Sequence, residues 1–194
     1  TIQKQVEEAV EILNKSLRVY PDYGEAHLEL GRLAVILGES YEKVLGIFDR
    51  AIEVNPNLVE AYLERVQILL GKYVDLCFDF YGNRRASSDE ETRIRARIEH
   101  DLEELQTRSQ DQTTHLFVKG SLLFAEQKYD QAAEQLQQYA EKMVSNPWGW
   151  TMLSNIYMVG DLPQKALQAA KRGLEYRPWH LPLLSSRRNA LMEN

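Results

Sequence analysis

The chain has 194 residues, 44% hydrophobic and 27% charged, with one cysteine and a formal net charge of −6. This is the composition of a folded protein with enough apolar material for an extended core, and it excludes disordered, fibrous and disulfide-built classes. Acidic and basic residues are interleaved, so no basic stripe tracks a phosphate backbone and nucleic acid is not an expected partner.

The longest apolar runs, such as Leu33 to Leu37 and Leu122 to Ala125, fall far short of the roughly 20 residues that cross a bilayer, so no direct membrane insertion is expected. The lone Cys77 has no second cysteine for a disulfide or a metal pair, which fits a cytoplasmic protein. A periplasmic protein, or a soluble domain of a membrane-anchored one, is the alternative. The chain opens at Thr1 rather than Met, as expected of a processed protein or a piece of a longer one.

In chain order, VEEAVEILNKSLRVYP carries Ala9, Leu13 and Pro21 at the spacing of Val44, Phe48 and Pro56 further on, and residues 1–22 read as a second helix without its first. Residues 24–57 hold a full helix pair. Leu30-Gly31, Ala34 and Leu37-Gly38 mark its first helix and turn, and Val44, Phe48, Ala51 and Pro56 its second, with one extra residue near Glu39-Ser40. Residues 58–111 begin another first helix at Val59 to Leu70, but Arg65-Val66 stands where Leu-Gly is expected. After Gly71, Val74, Leu76, Phe78 and Phe80 alternate with Asp75, Cys77 and Asp79 in strand fashion, while Tyr73, Cys77, Phe80 and Tyr81 share a helical face. We favour helix, because an isolated strand has no ladder partner. Gly82-Asn83 supplies a turn that closes an aromatic-rich insertion at about 72–88.

Ser87 or Ser88 then caps a long helix at about 89–107, whose first turn is Asp89-Glu90-Glu91 and whose apolar face is Ile94, Ile98, Leu102 and Leu105. It serves as the displaced second helix of that repeat. Arg93, Arg95 and Arg97 alternate with acids on its outer face, read as a solvated surface with a docking face as the sharper alternative. Arg84-Arg85 before Ser87 also invites phosphorylation at the helix start. Residues 112–147 restore the pattern with Gly120, Ala132 and Leu136. Residues 148–179 repeat it with Trp150, Leu153, Tyr157, Gly160, Ala166, Ala170, Gly173 and Pro178. Residues 180–194 read as a closing helix whose Leu183, Leu184 and Leu191 cover the end of the stack.

Small and large residues thus recur on consecutive helices. Gly31, Gly120, Ala51, Ala166 and Gly173 stand where one helix must approach another closely. The order resembles the tetratricopeptide repeat (TPR) family, in which a Trp, Leu-Gly and Tyr precede an Ala, Phe and Pro with a period of about 34 residues. The resemblance implies an all-α fold, an α-solenoid of stacked antiparallel helix pairs forming a superhelical array with a concave groove. First helices would line that groove, and the residues facing it would be Leu28, Arg32, Val35, Leu63, Gln67, Phe117, Ser121, Phe124, Trp148, Asn155 and Met158. Such a face suits an apolar peptide or helix of a protein partner. Some family members clamp the acidic tails of chaperones with Lys, Asn and Arg. Here Arg32, Gln67 and Ser121 stand at those places with Glu29 and Glu64 beside them, so tight binding of such tails is not expected.

The chain lacks the nucleophile-elbow, P-loop, dinucleotide and zinc-protease motifs, and His27, His100, His115 and His180 are scattered. The expectation is a non-catalytic scaffold or adaptor without cofactor or metal, which supports complex assembly. The alternative is a structural role, in which exposed repeat edges carrying Val6, Val10 and Leu17 stack on other copies or on the remainder of a longer chain.

Overall fold

A computed structural model describes residues 2–78, 84–109 and 112–193. Among them are ten α-helices, and extended pairing is limited to an isolated antiparallel bridge between Phe78 and Arg84. The chain divides into two compact units, residues 1–110 and 111–194. Both are built from antiparallel helix pairs that bury their apolar faces against the next pair, the arrangement of an α-solenoid.

The first unit holds α1 (Ile2–Val19), α2 (Gly24–Ile36), α3 (Tyr41–Val54), α4 (Val59–Cys77) and α5 (Asp89–Arg108). Its core is centred on Phe48, which is fully buried among Leu28, Ala34, Val44, Ala51 and Ala61. Phe48 lies against the bare backbone of Gly31, where a Cβ would sit only 2.4 Å from the ring. The same position in the next first helix is Val66, also fully buried. Its neighbour Arg65 reaches sideways to a carboxylate on each adjoining helix: Asp49 on α3 at 2.7 Å, and Asp101 on α5 through two bonds of 2.8 and 2.5 Å. Asp101 is 1% exposed, so α4 and α5 are joined by a buried ion pair as well as by Ile94, Ile98, Leu102 and Leu105.

Helix α4 continues through Cys77, so the stretch with two sequence readings is helical that far. Beyond it Phe78 is extended and bridges to Arg84; Phe80, Tyr81 and the Gly82-Asn83 turn lie outside the described residues. The base of the insertion is pinned. Arg85 N–H donates to the Cys77 carbonyl at 2.8 Å, and the Arg84 guanidinium donates to that carbonyl at 3.1 Å and to Glu91 at 2.6 Å. Lys72 binds Glu42 on α3 at 2.8 Å and Glu90 on α5 at 2.9 Å. Ser88 is the N-cap of α5, its hydroxyl accepting from Glu91 N–H at 3.0 Å.

The second unit holds α6 (Thr113–Ala125), α7 (Tyr129–Lys142), α8 (Pro147–Val159), α9 (Pro163–Tyr176) and α10 (Leu181–Met192). Its core joins Leu136, Ala140, Trp150, Leu153, Ile156 and Leu183. Two glycines admit large neighbours here: a Cβ on Gly120 would lie 2.6 Å from Leu136, and one on Gly173 would lie 2.6 Å from Trp150 and 2.7 Å from Leu183. Asn146 caps α8 and Pro147 occupies its first turn, where a missing N–H costs nothing. The short turns between paired helices carry one left-handed residue, which between α2 and α3 is Gly38 (φ 70°). In the second unit Gln127 (φ 61°) and Asp161 (φ 56°) take that place, so Gly160, expected at the turn, is not the residue that needs the glycine conformation. From Gly38 the next helix starts three residues on, at Tyr41. From Gln127 and Asp161 it starts two on, at Tyr129 and Pro163; the extra residue near Glu39-Ser40 accounts for the difference.

Candidate interaction surface

In the first unit, α2 and α4 form one candidate face. Arg32 is its centre. The guanidinium donates to Glu64 on α4 at 2.7 Å and to Glu29 on its own helix at 2.6 Å, and the Glu64 hydrogen bond raises the Arg32 pKa further. One helical turn along, Val35 is 43% exposed and Gln67 is exposed, while Leu63 is half-buried. Leu28 is different. At 4% exposure it packs into the Phe48 core and presents no surface. With Arg32 held by two carboxylates, the face offers no free cation, and the ion cluster is flanked by Val35, Leu63 and the polar Gln67.

In the second unit, the α6 residues are drawn inward. Phe117 and Phe124 are half-buried, with ring centroids 5.1 Å from Tyr139 and 5.8 Å from Tyr129, both on α7. Ser121 between them is 4% exposed and its hydroxyl donates to the Phe117 carbonyl at 2.8 Å. That hydroxyl is already used within its own helix. Helix α8 is more open. Trp148 is 57% exposed and stands edge-on to the His180 ring at 5.2 Å, Asn155 is exposed and accepts from Ser186 on α10 at 3.1 Å, and Met158 is half-buried.

The structure adds residues that helical spacing did not mark. Trp179 is 88% exposed and Leu181 76% exposed, beside the Trp148–His180 contact at the entry to α10. Both lie in the stretch RPWHLP, Trp179 ahead of α10 and Leu181 as its first residue. A tryptophan between two prolines belongs to neither helical pattern, and that is the signal by which it could have been found. No three His, Cys, Asp or Glu side chains are placed to hold a metal ion among the described residues. Cys77 is buried, and burial pushes its thiol pKa up, away from the reactive thiolate. No helix among the described residues is long and apolar enough to cross a membrane.

No protein-family model and no curated protein matches the sequence. Solved structures do. TTC0263, a TPR protein of Thermus thermophilus, superposes with a TM-score of 0.73 at 16% identity, covering 97% of this chain and 92% of its own. MamA from Desulfovibrio magneticus gives 0.67 at 15% identity, covering 91% and 92%. YrrB, described as a TPR protein with an unusual peptide-binding site, gives 0.60 at 13% identity, covering 94% and 84%. At such identities the likeness is one of fold. The fold is the α-solenoid of tetratricopeptide-repeat proteins.

Proposed function

We propose that this chain, an α-solenoid of the tetratricopeptide-repeat type, is a non-catalytic scaffold that holds an apolar peptide or helix of a protein partner and so supports assembly of a complex. The observation that carries the reading is Trp148. A large aromatic ring more than half exposed on a first helix, held edge-on against His180, with the exposed Asn155 further along the same helix, is the kind of anchor that dominates binding interfaces. Val35 and Gln67, over the Arg32–Glu64 pair, support a second patch on the first unit. That YrrB is described as having a peptide-binding site is consistent with this use of the fold.

Peptides selected by display against the immobilised chain test the proposal. Trp148→Ala and Asn155→Ala are expected to weaken the selected peptides about tenfold or more, roughly 1.4 kcal/mol. Selected peptides that bind both variants as tightly as the parent chain would show that this face is not the site.

A specific observation favours a second reading, self-association through repeat edges. Helix α10 exposes Leu181, Leu191 and Met192, and α1 exposes Ile12 and Val19, with Tyr20 exposed just past its end. Light scattering across a concentration series decides between them. A dimer that Leu181→Glu and Met192→Glu abolish supports the assembly role, and a strict monomer refutes it.

A further inference from the structure

The second helices α7 and α9 each pack on α8, which lies behind both and forms the floor between them. The opening is a furrow on the side of the second unit formed by second helices. Two adjoining cavities of about 450 and 230 Å³ share Gln137, Tyr157 and Lys165. The floor is the half-buried Tyr157 with Trp150 and Leu153, which are 6% and 2% exposed, packed beneath it; the Tyr157 hydroxyl donates to Gln137 at 3.4 Å and Lys165 stands 5.7 Å over its ring.

The two walls carry opposite charge. On α7, Asp130, Glu134, Gln137 and Glu141 follow one another at helical spacing along the rim, and on α9 so do Lys165, Gln168 and Arg172. All seven are exposed. Gln137 is bonded to Glu141 along α7 at 2.9 Å and Arg172 to Glu175 along α9 at 2.8 Å, both walls touch Tyr157 on the floor, and no ion pair joins the walls among the described residues. A narrow apolar floor between one acidic and one basic bank is half of a helix–helix seam of the kind that flanking charges orient.

We propose that this furrow is a docking site for an amphipathic α-helix of a protein partner, whose apolar seam is flanked by basic residues toward α7 and acidic residues toward α9. The cavities admit a row of large side chains, not a whole helix, so the partner lies along the furrow and inserts only its seam. Mixed flanks fix its direction. A helix laid in backwards places like charges together on both banks. The site is separate from the Trp148 face and does not rest on the function proposed for that face.

Three synthetic helices of about five turns test the proposal by calorimetry at low ionic strength, where exposed charges are least screened. All share one leucine seam; one carries Lys on one flank and Glu on the other, one Lys on both, one Glu on both. The mixed peptide is expected to bind at least about tenfold tighter than either single-sign peptide. The variant Lys165→Glu/Arg172→Glu makes both banks acidic and must shift the preference to the all-Lys peptide. Glu134→Lys/Glu141→Lys must shift it to the all-Glu peptide. These are exposed positions, and circular dichroism confirms that the variants fold. Trp148→Ala must leave all three affinities unchanged. Absence of binding, equal affinities, an unchanged ranking in both charge variants, or loss of binding with Trp148→Ala would each overturn the proposal. So would a dimer of the chain that Lys165→Glu/Arg172→Glu dissociates, because the occupant would then be a second copy.

Discussion

Replacing Gly31 by alanine tests the packing argument at its tightest point. The new Cβ would stand 2.4 Å from Phe48 Cε1 and 2.8 Å from Cδ1 and Cζ, well inside van der Waals contact. Phe48 has no exposed surface into which it could turn. Relief therefore requires α2 and α3 to separate, or the ring to leave its rotamer, and overpacking of this kind costs about 1–3 kcal/mol. Alanine returns nearly 1 kcal/mol of helix propensity. With so deep an overlap the upper end of the cost applies, leaving a net loss of about 2 kcal/mol. In urea, with a slope of about 2 kcal/mol/M, the unfolding midpoint should fall by about 1 M. Gly46→Ala is the internal control. Nothing lies within 4 Å of its Cβ, so the same change at that exposed helical site should raise stability by up to about 1 kcal/mol. In a double-mutant cycle, Phe48→Leu should recover at least about 1 kcal/mol of the Gly31→Ala loss by vacating the contested space. A Gly31→Ala chain as stable as the parent, or a cycle that is additive within about 0.5 kcal/mol, would refute the reasoning.

Gln127→Gly should stabilise the second unit by about 1 kcal/mol, because it removes a side chain from a left-handed backbone position; an unchanged thermal midpoint would contradict this. Asp101→Ala strips the buried partner from Arg65 and should cost about 3 kcal/mol in denaturant melts, whereas Arg65→Met/Asp101→Leu should cost markedly less. The Arg84 hydrogen bond holds the Glu91 carboxyl below its ordinary value of 4.5. The folded value is thus below the unfolded one, so the stability it contributes is full above about pH 4.5 and is lost as pH falls through the folded value. Glu91→Gln should flatten the acid limb of a stability–pH profile, and a limb of unchanged slope would show that Glu91 does not contribute to it.

Much of the fold was legible in the amino-acid order, because helical periodicity, small residues and caps act over a few residues. Gly31, Gly120 and Gly173 each lie against a large side chain of another helix, and Ser88 caps the helix whose first turn it precedes. The turn chemistry was legible only in part. Glycine accepts a left-handed backbone most readily, yet the chain places Gln127 and Asp161 there in the second unit, where the hydrogen bonds closing α6 and α8 hold them. The candidate faces were less legible still. Leu28, Ser121, Phe117 and Phe124 occur at the same spacing as Val35 and Trp148, and spacing alone does not separate a residue turned into its partner helix from one turned outward.

By itself, then, the sequence determined the all-helical solenoid, its repeating pairs and the close approaches of its glycines, since these follow from interactions a few residues apart or repeated from pair to pair. Only the tertiary structure decided which first-helix side chains remain open, how Arg65 links three helices, and that α7 and α9 stand apart over α8 with acids on one bank and bases on the other. The furrow depends on how far one helix stands from another that is not its neighbour in the chain. That distance is set by the packed volumes of all the side chains between them, a sum no local pattern contains.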